Sequence, residues 1–104
     1  MEAVKEALTD QEIDDYRYQA PRWTVVVPPG GEKRLERNFQ FPNFIEALDF
    51  AIRVGEMAEE ENHHPRLVIE WGSVTVSWWT HEVRGLLPND FQMAAKTDTI
   101  FAEF

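Results

Sequence analysis

The chain has no cysteine among its 104 residues. That excludes disulfides, thiolate nucleophiles and cysteine-held zinc or iron–sulfur centres. Positive charge is also scarce: 10 Lys and Arg stand against 19 Asp and Glu, a formal net charge of −9. Phosphate backbones are repelled by such a balance, which excludes non-specific nucleic-acid binding as a function class. No apolar run approaches the roughly 18 residues that a membrane span requires. The opening Met1-Glu2-Ala3-Val4-Lys5-Glu6 is too polar and acidic for a secretory signal. Together these absences predict a cytoplasmic protein with no membrane partner. Histidine is rare too: there are three, all inside two short segments.

What is present predicts one small domain spanning residues 1–104. A chain of this size buries only about two thirds of the surface its unfolded form exposes. Self-association would help it, and 12% aromatic residues offer material for an interface. Thr9 and Glu12 have capping-box spacing and open a short first helix that ends before Pro21. Trp23 to Val27 is rich in β-branched residues and reads as a strand. Pro28-Pro29-Gly30-Gly31 is a turn, and a second strand runs from about Leu35 to Phe41, where Arg37 interrupts the apolar face. Asn43 caps the longest helix with Glu46 at the reciprocal position. Its apolar stripe is Phe44, Ala47, Leu48, Ala51, Val54 and Ala58, broadened by Ile45, Phe50 and Met57. A third strand is predicted at Arg66 to Trp71, a turn at Gly72-Ser73, and a fourth strand at Val74 to Trp79. Val74, Val76 and Trp78 share one face of that strand, and Thr75, Ser77 and Trp79 share the other. Pro88 opens a last helix running to about Phe104, with Leu87 as a poor N-cap. Two hairpins joined by an amphipathic helix imply an α+β domain: a four-stranded antiparallel sheet with three helices packed on one face.

The histidines fall at the junctions of these elements. His63-His64-Pro65 follows the acidic end of the long helix, Glu59-Glu60-Glu61, and His81 follows the fourth strand. Antiparallel pairing of the third and fourth strands brings these ends together. If the helix persists to His63, Glu59 stands one turn away on the same face. Histidine is the side chain best suited to moving protons near neutral pH. Asp90, in the first turn of the last helix, suits orienting a histidine or accepting ligand N–H groups. The spacing alone leaves three readings open: solvated surface polarity, a zinc site of three histidines, and metal-free acid–base catalysis.

One family carries the same pattern. Ala58-Glu59, His63-His64-Pro65, Trp71, Val74, Val76, Thr80-His81, Gly85-Leu86 and Asp90 resemble the signature of pterin-4a-carbinolamine dehydratases. Phe39-Gln40-Phe41, Phe44, Ala47 and Val54 match upstream, and Trp23 aligns with a tryptophan near the family's first strand. The resemblance covers nearly the whole chain and is most specific over residues 39–90. It implies a lyase that removes water from 4a-hydroxytetrahydropterin to give quinonoid dihydropterin, in tetrahydropterin recycling. It implies a homodimer or homotetramer, a pterin as small-molecule substrate, and no metal, nucleotide or redox cofactor. By this resemblance His63 and His81 form the general acid/base pair and His64 positions substrate. Glu59, Asp90 and Thr80 would support them, and Trp23 would wall the pocket. Two positions depart from the family. Trp79 replaces a small polar residue, and Leu87 stands where Ser or Thr is common. The competing reading is a non-catalytic interaction or assembly module on the same scaffold, with a protein partner; a third is an enzyme acting on another pterin.

Overall fold

A computed structural model describes residues 6–104. Helix α1 (Asp10–Tyr16) starts with the expected capping box: the Glu12 N–H donates to Thr9 Oγ1, and the Thr9 N–H donates to the Glu12 carboxylate. A 3-10 turn (Arg17–Gln19) leads to β1 (Thr24–Val26), followed by β2 (Arg34–Gln40), α2 (Phe44–Glu61), β3 (Arg66–Glu70), β4 (Ser73–Trp78) and α3 (Pro88–Phe101). The strands form one antiparallel sheet in the order β1-β2-β4-β3. The α+β architecture of a four-stranded sheet and three helices is therefore as the sequence predicts.

Register decides which side chains become core. Leu35 lies opposite Trp78, and Phe39 opposite Val74. These four are essentially fully buried, together with Val76. Helices α2 and α3 cover this face through Ala47, Phe50, Ala51, Val54, Phe91, Met93 and Ala94. The apolar stripe of α2 is rotated slightly from expectation: Phe50 is buried, whereas Phe44 is largely exposed. Helix α1 contributes Ile13 and packs through Tyr16, whose ring stacks on Phe91 with centroids 5.6 Å apart.

Strand ends shift by about a residue from the sequence prediction, and two helix ends carry a structural reason or a larger shift. The β3–β4 turn is Trp71-Gly72 rather than Gly72-Ser73, because Ser73 already pairs with Glu70. Gly72 is required there by close approach: its carbonyl accepts from the Phe41 N–H at 2.8 Å, and a Cβ would sit 3.1 Å from the Phe41 carbonyl. Helix α3 ends at Phe101 rather than near Phe104. Helix α2 stops at Glu61, because Asn62 adopts a left-handed conformation at φ 51°. The N–H groups of Asn62 and His63 fold back onto the Glu59 and Ala58 carbonyls, closing the helix end.

Arg37 stays on the core face without spoiling it. Its guanidinium bonds Asp98 of α3 at 2.6 Å and covers the Phe39 ring, with Cζ 4.4 Å from the centroid. The Trp23 indole N–H donates to the same carboxylate at 2.9 Å. A charge at an apolar edge is tolerated when every partner is satisfied. Replacing Asp98 by Ala strands both donors. The expected cost is about 2–3 kcal/mol, below the range for fully buried pairs because this pair is partly solvated. Urea unfolding should show a lower midpoint at unchanged slope; a loss under about 0.5 kcal/mol would mean that solvent already screens the pair.

Candidate active site

The α2–β3 junction, the end of β4 and the start of α3 meet at one end of the sheet. Asp90 is fully buried there. Its Oδ2 accepts from the Thr80 hydroxyl at 2.8 Å and from the Leu87 N–H at 2.9 Å. Its Oδ1 lies 2.6 Å from His63 Nε2. Asp90 is the third residue of α3, so its bond to Leu87 completes the half of a capping box that a side chain at that position provides. Leu87 has no oxygen to supply the other half. A poor cap and a buried acid thus explain one another.

His63 is held on two sides. Beyond Asp90, its ring tilts against Trp78, with centroids 5.4 Å apart. Its side chain keeps 16% exposure. When the Asp90 carboxylate accepts from Nε2, the proton of a neutral ring is assigned to that nitrogen, and Nδ1 is left to exchange a proton. The Trp78 indole N–H donates to Thr97 Oγ1 at 3.1 Å, and Thr97 donates to the Met93 carbonyl at 2.8 Å. The surface beneath His63 is therefore rigid.

His64 has different surroundings. Its Nε2 lies 2.5 Å from Glu59 Oε1, with side-chain exposures of 56% and 77%. The Glu59–His63 neighbourhood expected for a continued helix is not formed. Asn62 turns the chain, so Glu59 meets His64 and His63 swings to Asp90. His81 opens a 3-10 turn (His81–Val83) directly after Thr80. The loop carrying them is closed by Thr80 and Gly85, each donating its N–H to the other's carbonyl. Its ring meets Trp79 edge-on, with centroids 4.9 Å apart. The three histidines share one end of the sheet but engage three different partners. Among the described residues, no three His, Asp or Glu side chains are grouped closely enough to hold a metal ion.

Trp23 stands elsewhere. It is 3% exposed and bound to Asp98, two turns of α3 beyond Asp90, with its edge against Phe39. The structure does not bring it to the histidines. Sequence reasoning also passed over Arg34, whose guanidinium lies over the Trp79 indole, Cζ 4.0 Å from the centroid. The signal was the register: Leu35 pairs with Trp78, which sets Arg34 beside Trp79.

Known proteins share this chain's sequence pattern and fold. The family model described as pterin 4 alpha carbinolamine dehydratase matches residues 6–100. A Chlorobium luteolum protein provisionally named pterin-4-alpha-carbinolamine dehydratase is 53% identical over 96 residues, covering 92% of this chain and 83% of that protein. A similarly named Chlorobium limicola protein is 58% identical over 90 residues, covering 86% and 79%. The crystal structure of a transcriptional coactivator/pterin dehydratase from Brucella melitensis superposes with a TM-score of 0.80 at 28% identity, over 91% of this chain and 98% of that one.

Removing the Thr80 hydroxyl tests how firmly Asp90 is held. Thr80→Val keeps the shape and leaves a buried carboxylate oxygen with one donor fewer. The expected loss is about 1–2 kcal/mol, measured by urea unfolding. An unchanged midpoint would show that Leu87 and His63 suffice.

Proposed function

The chain belongs to the pterin-4-alpha-carbinolamine dehydratase family, and on that premise we propose that it dehydrates 4a-hydroxytetrahydropterin to quinonoid dihydropterin by histidine acid–base catalysis, in tetrahydropterin recycling. The observation that carries this reading is the His63–Asp90 pair, a largely shielded imidazole whose one nitrogen is engaged by a buried carboxylate. The reaction needs one proton delivered and one removed. The C4a–O bond breaks as the leaving oxygen is protonated, N5 gives up its proton, and the electron pair becomes the C4a=N5 double bond. Hydroxide is a poor leaving group, so a positioned acid at oxygen and a base at N5 both lower the barrier.

His63 is suited to one of these transfers because Asp90 and Trp78 fix its plane and leave Nδ1 available. His81 is suited to the other, since it stands on the short loop anchored by the Thr80–Asp90 bond. His64, paired with Glu59 in solvent, positions the substrate. Glu59 and Thr80 act through the residues they hold.

The test is the rate of dehydration of 4a-hydroxytetrahydropterin, generated in situ, against its spontaneous rate. Wild-type protein should accelerate it. His63→Ala and His81→Ala should each lower that acceleration by roughly 10²-fold or more with pterin binding retained. Unchanged turnover in either variant removes that residue from the chemistry. No acceleration by folded wild type, with a stoichiometric protein copurifying, would replace this reading by an interaction module on the same scaffold.

A further inference from the structure

Arg34 combines a stacked guanidinium with a buried, unpartnered Nε. It lies on the sheet face opposite the helices, half-buried, with its guanidinium over the Trp79 indole, Cζ 4.0 Å from the centroid. Every ion pair among the described residues leaves it out. Glu36, the next residue on that face, accepts instead from the Ser77 hydroxyl at 2.9 Å. The position facing Arg34 on β1 is Val26, which offers no charge. Arg66 lies on the same face opposite Ser77 and is likewise absent from every ion pair among the described residues. Arg66 is exposed and solvated, so of these two arginines it is Arg34, half-buried, whose lack of a carboxylate partner is unexpected.

A second observation points the same way. Arg34 Nε and Trp79 Nε1 are both buried donors without an acceptor among the described residues. Trp79 is only 9% exposed, and the ring of His81 meets its edge. Buried donors are rarely left without acceptors, and each uncompensated one carries a free-energy cost. A guanidinium held over an aromatic ring is pre-organised for a planar or tetrahedral oxyanion, which its terminal N–H groups bind in pairs.

From this we infer that Arg34, held by Trp79, forms an oxyanion subsite beside His81 that selects pterins bearing an anionic side chain, a phosphate ester or a carboxylate, over neutral ones. The inference rests on the pterin reading given above and adds the side-chain class to it. Arg34 is a specificity residue in this account. The net charge of −9 disfavours anionic ligands generally, so an unpaired arginine is what would admit one here.

The experiment is calorimetric titration of the intact protein with neopterin, its monophosphate ester and 6-carboxypterin. Wild type should bind the two anionic pterins about tenfold or more tighter than neopterin, with a preference that shrinks as salt rises. Arg34→Gln should bring the three affinities together, and Arg34→Lys should restore part of the difference. Urea unfolding of both variants checks that the fold is intact. If wild type shows no preference for the anionic pterins, or if Arg34→Gln keeps it, the subsite is overturned while the pterin reading stands. If folded wild type binds none of the three, the pterin reading itself fails and the subsite falls with it.

Discussion

Asp90 ties three parts of the chain through a single buried carboxylate. It receives the backbone N–H that opens α3, the hydroxyl of the loop after β4, and the imidazole that follows α2. An acid without solvent exposure is costly unless its oxygens are engaged, and charge-assisted hydrogen bonds are the strong form of that compensation. Here each bond also does geometric work. The Leu87 contact starts α3 where the preceding side chain cannot. The Thr80 contact fixes the loop from which His81 projects. The His63 contact sets the ring plane. Loosening any one loosens the other two, so stability and site geometry are coupled at this residue.

Alternation along β4 then divides this end of the sheet into two environments. Trp78 points into the core, where its indole N–H is engaged by Thr97 and its ring supports His63. Trp79 points to the other face, where Arg34 covers it and His81 meets its edge. Two adjacent tryptophans therefore each contact one histidine, Trp78 that of the α2–β3 junction and Trp79 that of the loop after β4. A slip of one residue in the β2–β4 register would exchange these faces and bury the wrong ring. The many apolar residues on the helix side make such a slip expensive, so core packing holds the site in register.

The elements were legible because their signals are local and periodic. The Thr9–Glu12 box, the Val74–Val76–Trp78 alternation and the spacing of Ala47, Ala51, Val54 and Ala58 each depend on neighbours within one element. The signature spacing from Glu59 to Asp90 crosses several elements and was legible only through the family resemblance. Partner choice was not. Nothing in the sequence around Trp23 or Arg37 indicates Asp98, which lies 75 and 61 residues away, and only the family resemblance assigns Trp23 to the pocket wall. Glu59 was matched to His63 by helical spacing, whereas one left-handed residue at Asn62 redirects it to His64. A single backbone reversal is a weak sequence signal with a large effect on side-chain direction. Arg34 escaped notice because its position depends on strand register.

The two adjacent histidines show what that reversal achieves. His63 and His64 are chemically identical, and each contacts a carboxylate through Nε2 at nearly the same distance. Their exposures differ, 16% against 56%, and so do their supports. Asp90 is itself held by two donors and buried by the core, whereas Glu59 is a solvated side chain at a helix end. The same contact geometry therefore orients His63 firmly and leaves His64 free to exchange its partner for water or a ligand, since exposed ion pairs contribute little and are easily replaced. Fixed geometry favours a proton transfer whose rate depends on alignment, and an exchangeable pair favours contact with an arriving ligand. The chain obtains both from consecutive residues because Asn62 ends α2 between the acid that stays in solvent and the histidine that turns inward.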